Sequence, residues 1–208
     1  MRIGKFITLE GGEGVGKTTN LKFVQRYLES RGIEVVMTRE PGGTPFSENI
    51  RDLLLHKEGE AVAADTELLL MFASRAQHIA QLIKPALASG KWVVCSRFTD
   101  STYAYQGGGR RIAFERIAML ENWVHRDFQP DLTLLLDVSV EVGMSRARQR
   151  TLLDRIEREK NDFFERVRQA YLARARTAAR YQIIDAGQTL PEVQQSIAKA
   201  LDRLFKQT

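Results

Sequence analysis

Five short apolar runs punctuate the chain, at Lys5–Glu10, Ile33–Thr38, Lys91–Ser96, Asp131–Val138 and Tyr181–Ala186. Each has the length and β-branched content of a buried strand. Longer stretches between them follow a helical period. Leu21, Val24 and Leu28 line one face of the segment Thr18–Gly32, and Gly32 is placed to stop it. Pro45–His56 predicts a short helix with Pro45 near its start. Asp65–Gly90 predicts a long helix capped by Asp65, with Glu67 in its first turn and Pro85 as a kink. Strand-like runs separated by helices imply a parallel sheet covered on both faces. In such sheets ligands bind beyond the carboxyl ends of the strands. That puts Glu10–Thr18, Thr38–Gly43, Ser96–Gln106 and Asp185–Ala186 on one rim. No linker or internal repeat divides the 208 residues, so a single domain, 1–208, is expected.

Composition narrows this picture only a little. Apolar residues make up 43% of the chain, enough for a real core. The excess of 31 basic over 26 acidic residues, a net charge of +5, fits anionic ligands. The basic residues are not interleaved with aromatics as on a strand-binding surface, so no nucleic-acid partner is expected. No apolar run reaches the roughly 18 residues of a membrane helix. No signal-peptide pattern opens the chain. The single cysteine, Cys95, excludes an internal disulfide and points to a reducing, cytoplasmic setting.

The segment after the first run changes the picture most. It contains G-x-x-x-x-G-K-T as Gly11, Gly16, Lys17 and Thr18, between a predicted strand and a predicted helix. Backbone N–H groups from Gly11 to Thr19 would surround phosphates, aided by the helix N-terminus. That includes Gly12, Glu13, Gly14 and Val15. Lys17 would reach the β- and γ-phosphates, and the Thr18 hydroxyl would ligate Mg²⁺. The motif signals a nucleoside triphosphate without naming the reaction. A guanine-reading N-K-x-D element is absent from the sequence, which excludes a switch GTPase. The run "LTLLLD", ending at Asp137, has the pattern of a Walker B strand, so a P-loop ATPase without an acceptor stays open at this point.

A second anion site is expected on the same rim. Arg39 and Arg97 end predicted strands beside glycine-rich turns, and Arg51 lies on the short helix beyond. The planar fork of arginine suits phosphate.

The stretches "EGGEGVGKTT", "TREPGGT", "RFTDSTYAYQGGGR" and "LDRIE", in this order and spacing, resemble bacterial thymidylate kinase over essentially the whole chain. The resemblance implies a P-loop nucleoside monophosphate kinase fold: a five-stranded parallel sheet, helices on both faces, and a short Arg-rich lid at about 146–160. It implies transfer of the γ-phosphoryl of ATP to dTMP with Mg²⁺, on the route to dTTP, in a cytoplasmic homodimer. The alternative within the class is another nucleoside or nucleoside monophosphate kinase. By the same resemblance, Arg39 and Arg97 grip the dTMP phosphate, with Arg51 on that side, and Glu13 sits near the sugar 3′-hydroxyl. Arg75, Thr102 and Gln106 face the thymine, and Tyr105 crowds the ribose 2′ position. An aromatic should stack on the base one turn before Arg75. Phe72 is taken for that place, with Met71 as the other register. The P-loop carries no arginine, so the lid is expected to supply one, Arg150 first and Arg155 second. Arg146 would stack on adenine, and Asp185–Ala186 lie in the adenine-side loop. Arg158, Arg166 and Arg168 are expected to form a solvated helix face. The family pattern has an aspartate where Ser96 stands. Ser96 is kept as a catalytic position, but it brings no negative charge, which implies reduced turnover.

Overall fold

The computed structural model describes residues 4–55, 60–148, 156 and 159–206. Five parallel strands form its sheet in the order β2-β3-β1-β4-β5. They are β1 (Phe6–Glu10), β2 (Val35–Arg39), β3 (Trp92–Ser96), β4 (Leu132–Asp137) and β5 (Tyr181–Asp185). β1 is buried along its whole length and pairs with β3 on one side and β4 on the other. Chain order therefore reverses direction around β1. The crevice beyond its carboxyl end is where such a sheet binds ligands.

Both faces of the sheet are covered, which is why the strands read as continuous apolar runs. Ile7, Leu9, Val94, Leu134 and Leu136 pack against Val24 and Leu28 of α1 (Lys17–Glu29), and against Ile197 and Leu201 of α9 (Leu190–Lys206). On the opposite face Phe6, Val93 and Cys95 meet Ile79, Ile83 and Phe98. Further along that face, Leu135 meets Met144 of α7 (Val140–Arg148) and Phe164 and Val167 of α8 (Asn161–Arg174).

Three expectations need correction. The helix that Asp65 was to cap, α3 (Ala64–His78), starts one residue earlier after Ala63, and Asp65 pairs with Arg116 of α6 (Phe114–Val124) at 2.8 Å. Pro85 does not kink the long helix at its own position. The chain passes through a π turn at Ile79–Ile83 and continues as α4 (Lys84–Ala88), with Pro85 in its first turn. Proline lacks the N–H that the α ladder needs, and the wider turn just before it absorbs the mismatch. Third, the glycine-rich stretch expected as a turn after β3 is helical. Thr99–Thr102 forms the short helix α5, and Tyr103–Gly109 follows as a π turn. An added Cβ on Gly108 would meet Arg166 O at 2.7 Å and the Ala170 Cβ at 2.8 Å. The glycine run lets this segment lie directly on α8.

Candidate active site

The P-loop runs from β1 to α1. Gly14, at φ 68°, lies so close to the Gly143 carbonyl of α7 that a Cβ there would overlap it. Lys17 opens α1, and its Nζ donates to Gly12 O at 2.5 Å and to Gly11 O at 3.1 Å. Thr18 and Thr19 are exposed in the first helical turn. On the donor side, Arg146 of α7 donates to Ala186 O at 3.0 Å. Asp185, next in the chain, accepts from Gly187 N at 2.8 Å. These three residues meet where β5 ends.

A cavity of about 210 Å³ opens on the other side of the P-loop. Glu13 and Lys17 form its P-loop wall, Arg51 of α2 (Pro45–Leu55) and Met71 one flank, and Arg75 and Arg97 its charged floor. Thr102, Tyr105 and Gln106 come from the segment after β3.

Arg97 joins the two sites. Its backbone sits at φ 69°, in the left-handed region that non-glycine residues seldom enter. Nη1 donates to Gly11 O of the P-loop at 3.1 Å and to the Tyr171 hydroxyl at 3.1 Å. Nη2 donates to Glu13 Oε1 at 2.5 Å and to the Tyr105 hydroxyl at 2.9 Å, and the guanidinium lies over the Tyr105 ring. Burial works against its charge, but the surrounding acidic groups, Tyr105 and Glu13 first, hold its pKa well above the usual arginine value.

Glu10, at the end of β1, underlies this arrangement. Oε1 accepts from Phe98 N at 2.6 Å, and Oε2 accepts from the Ser101 and Tyr171 hydroxyls at 2.6 and 3.0 Å. Burial and then Asp100 push its pKa up to about 7, against the Ser101 hydrogen bond and Arg97. Asp100 has the opposite outcome. Burial would raise it, but Arg180 and Arg174 outweigh that and hold it below the usual carboxylate range. The Ser96 backbone pairs with its neighbours, accepting from Glu40 N at 2.9 Å. Its hydroxyl makes no hydrogen bond among the described residues.

Arg75 is almost fully buried. Nε donates to Glu40 Oε2 at 2.8 Å and Nη2 to Thr102 Oγ1 at 2.9 Å. Glu40 also meets His78 Nδ1 at 3.0 Å. Burial would raise the Glu40 pKa, but Arg75 and then His78 bring it below the usual value. The remaining nitrogen, Nη1, is buried and has no partner among the described residues.

Several expected residues fall elsewhere. Phe72 points into the core with Leu68, Tyr103 and Ile117, and Met71 lines the cavity instead. Phe72 continues the buried row begun one turn earlier by Leu68, whereas Met71 is turned roughly 100° away. Arg39 is exposed and pairs with Glu48 at 2.8 Å, outside the cavity that Arg51 lines. The charged wall thus comprises Arg51, Arg75 and Arg97 with Lys17. The expected solvated face also fails for two of its members. Arg166 donates to the carbonyls of Gly108 and Gly109, and Arg168 grips both oxygens of Asp137 at 2.7 and 2.8 Å. Asp137 is thereby tied to α8. Arg150, Arg155 and Arg158 lie outside the described residues. Sequence reasoning gave no role to Tyr171 or to Glu67 beyond its helical turn. Tyr171 lies 74 residues from the arginine it touches, and no local pattern signals it.

The comparisons with known proteins agree with this geometry. A family model described as thymidylate kinase matches residues 9–197. The chain is 57% identical over 204 residues to a thymidylate kinase of Ectopseudomonas mendocina strain ymp, covering 98% of this chain and 97% of that one. It is 58% identical over 195 residues to one from Pseudomonas putida strain GB-1, covering 93% of each. The crystal structure of thymidylate kinase from Ehrlichia chaffeensis superposes with a TM-score of 0.78 at 35% identity, over 96% of this chain and 98% of that chain. A strand-to-helix P-loop, an arginine bridging it to a polar cavity, and these relatives over nearly the full length give one conclusion: the chain belongs to the thymidylate kinase family.

Proposed function

We propose that the protein transfers the γ-phosphoryl group of ATP to dTMP, giving dTDP and ADP on the route to dTTP. The observation that carries this reading is the Arg97 guanidinium, which touches the P-loop carbonyl of Gly11 and lines the neighbouring cavity. Phosphoryl transfer is chiefly positioning plus charge neutralisation. A cation fixed between two phosphate sites before either ligand arrives meets both needs. Lys17 serves the β- and γ-phosphates, and the P-loop amides from Gly11 to Thr19 wrap them. Arg97 holds the acceptor phosphate, with Arg51 beside it. Arg146, Asp185 and Ala186 form the adenine side. Arg39 would have to leave Glu48 to join the acceptor phosphate.

The base end supports thymine. Arg75 Nη1 offers a buried donor to a carbonyl oxygen, and Met71 lies alongside to cover the ring. Tyr105 is pinned by Glu13 at 2.6 Å and by Arg97, so it stays in place against a ribose 2′-hydroxyl. Glu13 accepts from the Tyr105 hydroxyl and, separately, from Arg97 Nη2, and sits at the sugar edge.

Mg²⁺ fits this residue set as an ion carried in largely by the phosphates. Among the described residues no cluster of three His, Cys, Asp or Glu side chains could hold a metal on its own. The Thr18 hydroxyl would be its protein ligand, and Ser96 offers it only a neutral hydroxyl. Bound there, the ion neutralises charge on the β- and γ-phosphates. We assign residues 1–208 to one domain with 146–160 as lid, and give Arg150 the role of neutralising charge on the transferred group. A homodimer is supported by the exposed face that Leu69, Met119 and Trp123 form between α3 and α6. Among the described residues no helix is long and apolar enough to cross a membrane. The single cysteine, Cys95, is buried and free, and its lack of a disulfide partner fits a cytoplasmic setting.

Rates with dTMP, dUMP, dCMP, dAMP and thymidine test the reading. dTMP should be clearly the best acceptor; any other ranking overturns it.

A further inference from the structure

Two groups that line the acceptor cavity have fixed hydrogen-bond polarity. Arg75 Nη1 can only donate, and it has no partner among the described residues. Gln106 is 1% exposed and lines the same cavity. An amide side chain offers either N–H or C=O, and its other partner decides which. Here that partner is Glu67, itself 1% exposed, whose Oε1 accepts from Gln106 Nε2 at 2.8 Å. Arg110 donates to the same oxygen through Nε at 3.2 Å, and its Nη1 reaches Glu159 beyond. A carboxylate paired with arginine only accepts. Gln106 must therefore give it the N–H, which leaves the carbonyl oxygen for the cavity.

We propose that Glu67 is a specificity-determining positioning residue. Acting through Gln106, it fixes an acceptor in the cavity that the Arg75 donor also lines. That pair matches the imide edge of thymine, a C=O next to an N–H. It opposes the edge of cytosine, which presents an amino group next to a bare ring nitrogen. Against cytosine, donor would face donor and acceptor would face acceptor, each leaving buried groups unpaired. The inference rests on dTMP being the acceptor. It adds that the choice between imide and amino pyrimidines is set by a carboxylate behind the amide.

The test is Glu67→Gln, assayed with dTMP, dUMP and dCMP. Glutamine at 67 can donate as well as accept, which frees the Gln106 amide to turn over. The ratio of kcat/KM for dCMP to that for dTMP should rise on the order of tenfold. The dUMP to dTMP ratio should not change, because uracil has the same imide edge. A dCMP to dTMP ratio within about twofold of wild type, or a parallel loss with all three acceptors, overturns the proposal. Thermal melting run alongside reports folding. If Glu67→Gln does not fold, Glu67→Asp carries the test: it keeps acceptor-only chemistry and should keep the wild-type ratio, and a rise overturns the proposal. Failure of the wild-type protein to phosphorylate dTMP would sink the functional reading itself. A wild-type preference for dTMP with an unchanged Glu67→Gln ratio would sink only the role of Glu67.

Discussion

Arg97 reaches the cavity from a left-handed backbone, held by the hydroxyls of Tyr105 and Tyr171 and the carboxylate of Glu13. Next to it, Ser96 places a neutral hydroxyl at the end of β3. The buried acids Asp100 and Glu10 are already occupied: Asp100 by Arg174, Arg180 and Tyr181, and Glu10 by Phe98 N, Ser101 and Tyr171. Neither takes over the missing charge. Ser96→Asp should therefore raise kcat by about tenfold or more while leaving the dTMP Kd nearly unchanged, as read by steady-state kinetics and dTMP titration. No gain in kcat would show that an acid is dispensable here. Glu10 makes a separate prediction about pH. It faces Arg97, Asp100, Tyr171 and the Cys95 thiol, and its folded pKa of about 7 exceeds the ordinary 4.5. A raised carboxyl pKa means that the folded state binds the proton more tightly. Its stabilising contribution is complete below about pH 4.5 and is lost as pH rises through about 7. Glu10→Gln lacks that titration. The Tm of wild type relative to this variant should fall steadily across that window. A constant difference would contradict the burial of an ionisable Glu10.

At the scale of elements, the contact between the π turn at Tyr103–Gly109 and α8 decides the shape of the acceptor cavity. Gly108→Ala would force a methyl group against Arg166 O and Ala170. Overpacking of this kind costs about 1–3 kcal/mol. Melting should show a Tm lower by roughly 2–10 °C, and KM for dTMP should rise, because Tyr105 and Gln106 ride on the same turn. A variant that melts with wild type would show that the two elements are not in close contact. This contact also marks the limit of what the sequence reveals. The P-loop was legible because its chemistry is written in consecutive residues between a strand and a helix. The parallel sheet and its ligand rim follow from the apolar runs and the location of that loop, whereas the strand order β2-β3-β1-β4-β5 has no signal along the chain. The Gly107–Gly109 run misleads, because glycine serves close packing as well as looseness. Phe72 and Met71 could not be separated, since three and four residues both reach the face of Arg75. The partners of Arg166 and Arg168 lie 58 and 31 residues away, and no spacing rule along α8 points to them.

At the scale of the whole molecule, the cavity and P-loop lie at the carboxyl end of the sheet. The apolar surface of Leu69, Met119 and Trp123 lies between α3 and α6, and Trp123 is 81% exposed. Contiguous apolar surface of this kind marks an interaction site. Trp123→Glu should convert a dimer into a monomer in sedimentation velocity at micromolar concentration. Wild-type protein sedimenting as a monomer would remove the dimer from the account.

One arginine couples the P-loop to the acceptor cavity. ADP release from ATP and Mg²⁺, followed with and without dTMP, tests it most directly. Release should depend on dTMP and be matched mole for mole by dTDP. ATP hydrolysis that dTMP does not alter, with no dTDP formed, would contradict it.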